Sequence, residues 1–317
     1  MKALHIAACE KEGGIYRFEI TPEGKLVKKG FTPMEMPMYM VEKNGRMHIL
    51  LREPFENSKM SGYLSYDVCE DGSLYNPSDV VSTGGEVACH ILAADEAIYA
   101  VNYVSGSVSK VGERTVTHTG KGPHPVRQTS PHTHFVGTTP DGEHILVTDL
   151  GTDSVYLYDK DLNEEGRITV PSGEGARHLI FSDDGRYMFV ANELGSSVSS
   201  YRYDKGEFSY IETVSTLPDG FDEFNLVAAI RYEDGKVYVS NRGHNSIAVF
   251  DFSKEKLTRK GIYSCGGKSP RDFIIEGDFI ICTNERGNTV TVLSKEDMTL
   301  LHTEENIPSP LCALVTE

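Results

Sequence analysis

The chain has 317 residues, of which 39% are hydrophobic and 25% charged, a composition typical of a folded globular protein. Acidic residues outnumber basic ones by 47 to 31, and the net charge of -16 argues against nucleic acid or an anionic membrane as a partner. No apolar run reaches membrane length, and the six cysteines show neither zinc-ligand nor disulfide spacing. We therefore expect a cytoplasmic protein that binds neither nucleic acid nor membrane.

A short apolar segment that ends in a small polar residue recurs along the chain at intervals of 43 to 49 residues. Its clearest copies end at Asn102, Asp149, Asn192, Asn241 and Asn284. Weaker copies that end at Cys9 and Arg52, at intervals of 43 and 50 residues, raise the number to seven, and they place Arg52 where later copies have Asn or Asp. Segments in which apolar and polar residues alternate, as in a strand, precede and follow each copy, and a fourth, less regular stretch completes the unit. Four short antiparallel strands in about 45 residues are typical of one propeller blade.

The two ends of the chain complete each other in this pattern. Residues 4–8 match the second strand of a repeat, whereas residues 309–315 resemble the first-strand segment 269–275. We predict an all-β, seven-bladed β-propeller with four antiparallel strands per blade, in which the N- and C-terminal strands close one blade. The whole chain, 1–317, is then a single domain. The absence of Trp argues against the Trp-Asp repeat class.

Two alignment columns of the repeat converge on one mouth of the central channel, because the first and second strands of a blade form an antiparallel hairpin. The first-strand column contains His90, His134, His178 and Asp272, and the column before it contains Arg177 and Arg271. Successive strand residues face opposite ways, so Arg177 and His178 are not both expected to line the channel. Hydrogen bonding between blades is the structural alternative for these histidines, and metal ligation by His132, His134 or His178 is a further one.

The residue after the second-strand Asn or Asp varies from blade to blade. A position with fixed geometry and a different side chain in each blade is where we expect a binding site. The variable residues are Tyr103, Leu150, Glu193, Arg242 and Glu285. Arginines gathered at the mouth of an acidic chain suit the carboxylate or phosphate of a small ligand. A neighbouring His or Glu could transfer a proton. The segment 124–128, which contains Arg127, is expected to fold over this mouth.

Several segments, in order along the chain, resemble the lactonase family of seven-bladed propellers. This family includes propeller-type 6-phosphogluconolactonases and fungal carboxy-cis,cis-muconate lactonizing enzymes. The matching segments are 101–103, 106–108, 127–128, 130–134, 148–153, 175–178, 192–194, 240–247 and 269–273. The likeness is weaker before residue 86, where the first two repeats lack most family motifs.

The resemblance implies a site built from four motifs. Their functional residues are the His of Pro-His-x-His, either His132 or His134, Arg177 of Gly-x-Arg-His, Glu193 of Asn-Glu-Leu and Arg242 of Ser-Asn-Arg-Gly. The alignment with His178 favours His134 as the acting histidine. We therefore assign catalytic roles to His134, Glu193, Arg177 and Arg242. Substrate contacts are assigned to His132, His178, Arg271, His90, Glu285 and Arg127.

These assignments predict a hydrolase that needs no cofactor and no metal and opens a small anionic sugar lactone, with 6-phosphogluconolactone as the leading candidate. Glu193 or His134 would deprotonate the attacking water, while arginines stabilise the charge on the carbonyl oxygen. The alternatives are a carboxymuconate-type cycloisomerase and a binding propeller without turnover. The expected partner is the substrate, and the expected assembly state is a monomer or weak homo-oligomer.

Overall fold

A computed structural model describes residues 2–317, which form 29 strands and two short 3-10 helices, Leu150–Thr152 and Glu285–Gly287. The strands fall into seven antiparallel sheets. Among residues 2–317, no helix has the length and apolar character needed to cross a membrane.

The strands are numbered in chain order and grouped by blade. Blades 1 and 2 contain β1 (Ala3–Ala8), β2 (Gly14–Ile20), β3 (Leu26–Pro33), β4 (Pro37–Lys43), β5 (Arg46–Leu51), β6 (Met60–Val68), β7 (Leu74–Tyr75) and β8 (Val81–Glu86). Blades 3 and 4 contain β9 (Ala88–Ala93), β10 (Ile98–Asn102), β11 (Ser107–Lys110), β12 (Arg114–Thr117), β13 (Thr133–Thr138), β14 (Ile145–Asp149), β15 (Ser154–Tyr158) and β16 (Glu164–Thr169). Blades 5 to 7 contain β17 (Ala176–Phe181), β18 (Tyr187–Asn192), β19 (Ser197–Asp204), β20 (Glu207–Ser215), β21 (Leu226–Glu233), β22 (Lys236–Arg242), β23 (Ser246–Ser253), β24 (Lys256–Ser264), β25 (Pro270–Glu276), β26 (Phe279–Asn284), β27 (Thr289–Ser294) and β28 (Leu300–Glu305). The last strand, β29 (Pro310–Thr316), returns to blade 1.

The sheets form a ring in which the first strands of neighbouring blades pack against one another around the channel. Strand β29 closes the ring by pairing with β1, so that Leu4 lies opposite Val315 and Ile6 opposite Ala313. The seven-bladed architecture and its closure by both chain ends are thereby confirmed. Blade 2 departs from the four-strand prediction, since both β7 and β8 pair with β6. Its outermost position is divided between two short strands.

The inner strands of a blade are buried on both faces because each sheet is covered by its two neighbours. Every residue of β14 and β15 is buried, whereas the outer strand β16 is exposed or half-buried along its length. Between blades 4 and 5, Leu146 and Val155 pack with Val190 and Tyr201. Burial of one such aliphatic side chain contributes about 1.5–3 kcal/mol. This packing between sheets holds the ring rigid around the mouth.

A β-bulge interrupts the first strand of every blade near its start, where two residues oppose one on the second strand. In blade 5, Ala176 pairs with Asn192 and His178 with Ala191, which leaves Arg177 as the extra residue. The extra residue breaks the alternation of side chains, so Arg177 and His178 are both buried towards the centre. The expectation that only one of them could face the channel was wrong for this reason.

The bulges also correct two columns of the sequence alignment. In blade 4 the bulged residue is His134, so it is equivalent to Arg177, and Phe135 is the residue equivalent to His178. In blade 2 the residue equivalent to the Asn or Asp that ends the second strand of the later blades is Leu51, which pairs with Pro37. Arg52 therefore belongs to the variable mouth column and not to the Asn column. Equal spacing of the histidines concealed the one-residue shift.

Candidate active site

A pocket of about 460 Å³ lies at the mouth of the channel. Most of its polar lining comes from the two columns that the hairpins bring together, the bulged residues of the first strands and the residues after the second-strand Asn position. The polar and charged side chains of the lining are Arg52, Glu53, Tyr103, Arg127, His134, Glu193, Arg242 and Arg271. The mouth chosen from the repeat pattern is thus a real concavity, to which at least six blades contribute.

Glu193 is the centre of the charge arrangement. It is 3% exposed, and its carboxylate accepts hydrogen bonds from three arginines. Oε1 lies 2.6 Å from Nη2 of Arg127, while Oε2 lies 3.0 Å from Nε of Arg177 and 2.7 Å from Nη2 of Arg242. Although burial opposes it, the charges of Arg242 and Arg177 hold the pKa of Glu193 far below its usual range. Glu193 is consequently a permanent anion that holds the arginines in place.

The arginines crowd one another, because a single carboxylate serves three of them. Burial, reinforced by the charge of Arg242, lowers the pKa of Arg177 to about 9. Burial also lowers the pKa of Arg242, which is close to the charge of Arg271. An additional negative charge in the pocket would relieve this repulsion. The pocket is therefore electrostatically suited to an anion, in contrast to the acidic chain as a whole.

His134 lines the pocket and is 4% exposed. Burial and the nearby Arg177 charge lower its pKa well below the usual value, so the imidazole is neutral at pH 7. Its ring packs edge-on against Tyr103, with a centroid separation of 5.6 Å. A neutral imidazole beside charged guanidinium groups has a free lone pair suited to accept a proton, and among the buried side chains of the pocket it is the group that can do so.

Four buried nitrogen atoms around the pocket have no hydrogen-bond partner among residues 2–317. They are Nε of Arg52, Nδ1 of His134, Nη1 of Arg177 and Nε of Arg242. Buried polar groups in native proteins are normally paired, and an unpaired group costs about 1–3 kcal/mol. Arg52, His134 and Arg242 line the pocket, and Arg177 contacts Glu193 without lining it. Their unused hydrogen-bonding capacity makes this pocket the candidate ligand site.

The other predicted histidines lie outside the pocket. His132 stacks on Tyr103 at 4.5 Å, and its Nδ1 lies 3.0 Å from the Tyr103 carbonyl oxygen, so it supports a wall of the pocket. His90 and His178 are buried deeper in the channel, with ring centroids 5.4 Å apart. Among residues 2–317, no three His, Cys, Asp or Glu side chains are grouped to hold a metal ion. The structure thus separates His134 from the other candidates.

Segment 118–132, which joins β12 to β13, brings Arg127 to the pocket. Its start is anchored by His118, whose Nδ1 lies 2.7 Å from a carboxylate oxygen of Asp149. Farther along, the Gln128 side chain donates to Asp153 at 2.6 Å. Between these anchors Arg127 reaches Glu193 and the Tyr103 hydroxyl, the latter at 3.0 Å. Of residues 124–128, which were expected over the mouth, Arg127 reaches the pocket lining.

Arg271 lines the pocket from the bulge of blade 7, and its Nη1 lies 3.3 Å from Oε2 of Glu285. Glu285 thus reaches the site through Arg271. Three polar pocket residues, Arg52, Glu53 and Tyr103, were not among the predicted site residues. Tyr103 was recognised in the variable column, whereas Arg52 was misplaced by one residue. Only the strand pairing of blade 2 reveals its position.

Comparison with known proteins identifies the family. The family described as "Lactonase, 7-bladed beta-propeller" matches residues 3–316. An uncharacterized protein of Staphylococcus saprophyticus is 30% identical, with 96% of this chain and 95% of that protein covered.

Solved structures share the same architecture. A Bacteroides fragilis protein, proposed to be a 6-phosphogluconolactonase, superposes with a TM-score of 0.87 at 24% identity, over 100% of this chain and 98% of that one. A periplasmic gluconolactonase from Pseudomonas aeruginosa gives 0.88 at 22% identity, over 100% and 99%. At such identities the two structures establish the fold alone. The match of the family over nearly the whole chain shows that this protein is a member of the lactonase family of seven-bladed β-propellers.

Proposed function

We propose that this protein hydrolyses the ester bond of a small anionic sugar lactone, with 6-phosphogluconolactone as the leading substrate. One observation carries the proposal: the pocket is lined by buried, unpartnered nitrogen atoms of arginines and of a neutral histidine, around a carboxylate that is already neutralised. Family membership and the names of the structural neighbours support the same chemistry.

The roles of the residues follow from their surroundings. Both carboxylate oxygens of Glu193 are engaged by arginines, which makes it a poor base, so we assign the base to His134. His134 accepts a proton from water as the water oxygen attacks the lactone carbonyl. Arg177 and Arg242 stabilise the negative charge that develops on the carbonyl oxygen. The ring C–O bond then breaks, and the protonated His134 returns the proton to the leaving alkoxide oxygen, which becomes the hydroxyl group of the opened sugar acid.

The test is a panel of lactones assayed with a pH indicator, with spontaneous hydrolysis subtracted. The panel contains 6-phosphogluconolactone, glucono-δ-lactone and a carboxylated muconolactone. Enzymatic acid release from either sugar lactone, above a no-enzyme blank, supports the proposal. Turnover of the muconolactone alone would favour cycloisomerase chemistry. Ligand-induced melting shifts without turnover of any lactone would indicate a binding protein and overturn the proposal.

The pH dependence of the reaction follows from the lowered pKa of His134. A base with an ordinary imidazole pKa would become protonated, and activity would fall, below a pH of about 6.5. Because the pKa of His134 is lowered, its neutral form persists at lower pH. We expect kcat/KM for glucono-δ-lactone, which has no group that titrates in this range, to stay within about two-fold between pH 7 and 5.5. A steep loss centred near pH 6.5 in initial-rate measurements would contradict this.

A further inference from the structure

The positive charge of the pocket is not neutralised evenly. Arg127, Arg177 and Arg242 all pair with Glu193, on the side formed by blades 5 and 6. On the opposite side, Arg271 has a longer contact, 3.3 Å, with Glu285. Arg52 pairs with neither carboxylate, and within the described chain its buried Nε has no acceptor. Among the arginines that line the pocket, Arg52 is therefore the one that pairs with no carboxylate in the described part of the chain.

Arg52 and Arg271 lie on the two blades that flank blade 1. Arg52 follows β5 in blade 2, and Arg271 is the bulged residue of β25 in blade 7. Between them blade 1 presents Cys9, a small side chain. Burial raises the pKa of the Cys9 thiol to about 11; the charges of Arg52 and Arg271 oppose this shift, and those of Glu10 and Glu285 add to it. Both guanidinium groups belong to the lining of the same pocket, on either side of blade 1.

Glu53 is the acidic residue nearest to Arg52 in sequence, and it also lines the pocket. It is exposed to solvent, and it makes no ion pair with Arg52 in the described part of the chain. Its charge is therefore screened by water and leaves Arg52 available to a ligand.

We propose that Arg52 and Arg271 form a subsite for the phosphoryl group of a sugar-lactone phosphate, across the pocket from the lactone carbonyl. A phosphomonoester carries a charge of about -1.5 to -2 at pH 7. Two guanidinium groups, one without an ion pair and one with a single long contact, suit this charge, whereas a carboxylate ligand carries only one negative charge. Arginine can also bind phosphate through two donors. This inference rests on the proposed function and specifies its substrate class.

The experiment compares Arg52→Ala with Arg286→Ala, a matched control. Arg286 is an exposed arginine next to Glu285 that does not line the pocket, so both variants lose one positive charge at the same mouth. Calorimetry measures the binding of 6-phosphogluconate, gluconate and glucarate to each protein. Steady-state assays measure kcat/KM for 6-phosphogluconolactone and glucono-δ-lactone.

We expect Arg52→Ala to weaken 6-phosphogluconate binding, and to lower kcat/KM for the phosphorylated lactone, by about 10–100-fold. Gluconate and glucono-δ-lactone should change less than about two-fold, as should every ligand with Arg286→Ala. Arg52→Lys, which keeps the charge, should recover part of the loss, and equal melting temperatures would show that the variants are folded.

Equal loss for phosphorylated and unphosphorylated ligands, or no loss for either, would overturn the subsite. Wild-type binding of glucarate as tight as that of 6-phosphogluconate would also overturn it, because the site would then recognise a carboxylate equally well. If wild-type protein opens no lactone, the proposed function fails, yet calorimetry still tests the role of Arg52. If lactones are opened and Arg52→Ala has no effect, only the subsite fails.

Discussion

Replacement of Glu193 by Gln should destabilise the protein by about 3–5 kcal/mol and abolish most of its activity. The substitution keeps the shape of the side chain but removes the charge that pairs with Arg127, Arg177 and Arg242. Arg177 and Arg242 are 2% and 9% exposed, so solvent cannot replace the lost carboxylate effectively. Their repulsion would displace them from the positions needed to stabilise the carbonyl oxygen. Urea denaturation of both proteins, with the lactone assay alongside, measures the two effects.

Glu285→Gln provides the matched control. Glu285 and Arg271 have side chains that are 26% and 23% exposed, and a single 3.3 Å contact joins them. Such a half-exposed pair contributes about 1 kcal/mol or less. A Glu193→Gln protein as stable as the Glu285→Gln protein would contradict the central role given to Glu193.

Acidification offers a second check on the same carboxylate. A carboxyl group whose pKa is depressed in the folded state contributes stability above its unfolded pKa of about 4.3. That contribution is lost as the pH falls through the depressed value. The difference in stability between wild type and Glu193→Gln should therefore be full at neutral pH, begin to shrink as the pH falls below about 4.3, and continue to shrink towards the depressed pKa.

Replacement of His134 by Ala should lower kcat by about 10²–10⁴-fold, the usual contribution of a general base. The imidazole has no partner at Nδ1 among the described residues, so its removal breaks no hydrogen bond there and leaves the arginines paired. We expect KM to change less than kcat, because the substrate anion is bound by arginines. Steady-state kinetics on the best lactone of the panel measures both constants.

His132→Ala is the comparison that separates the two histidines of the family motif. His132 stacks on Tyr103 from outside the pocket and does not reach the pocket lining. Its loss should loosen Tyr103 and raise KM several-fold, with kcat kept within about ten-fold. A larger fall in kcat for His132→Ala than for His134→Ala would reverse the assignment of the base.

The architecture could be predicted from the sequence because each blade is a local unit. Hydrophobic alternation, turn residues and a repeat of 43 to 49 residues are all properties of neighbouring positions, so they survive in the linear pattern. The closure of blade 1 was also predictable, since residues 309–315 carry the pattern of a first strand. In blade 2, whose pattern is weak, the division of the outer strand into β7 and β8 was not.

The resemblance to the family was sufficient to name Arg177, Glu193 and Arg242, and the structure places these side chains in contact. It left His132 and His134 open, and the alignment with His178 that favoured His134 is one residue out of register. The roles of these residues required the tertiary structure. Only the contacts show that both oxygens of Glu193 are occupied. Strand pairing alone reveals the bulge that turns His134 towards the pocket and the register that gives Arg52 to it. A bulge shifts the register by one residue without altering the repeat length, so it leaves no periodic signal in the sequence. Ion pairs between blades join residues that are far apart in the chain, so they leave no local pattern either.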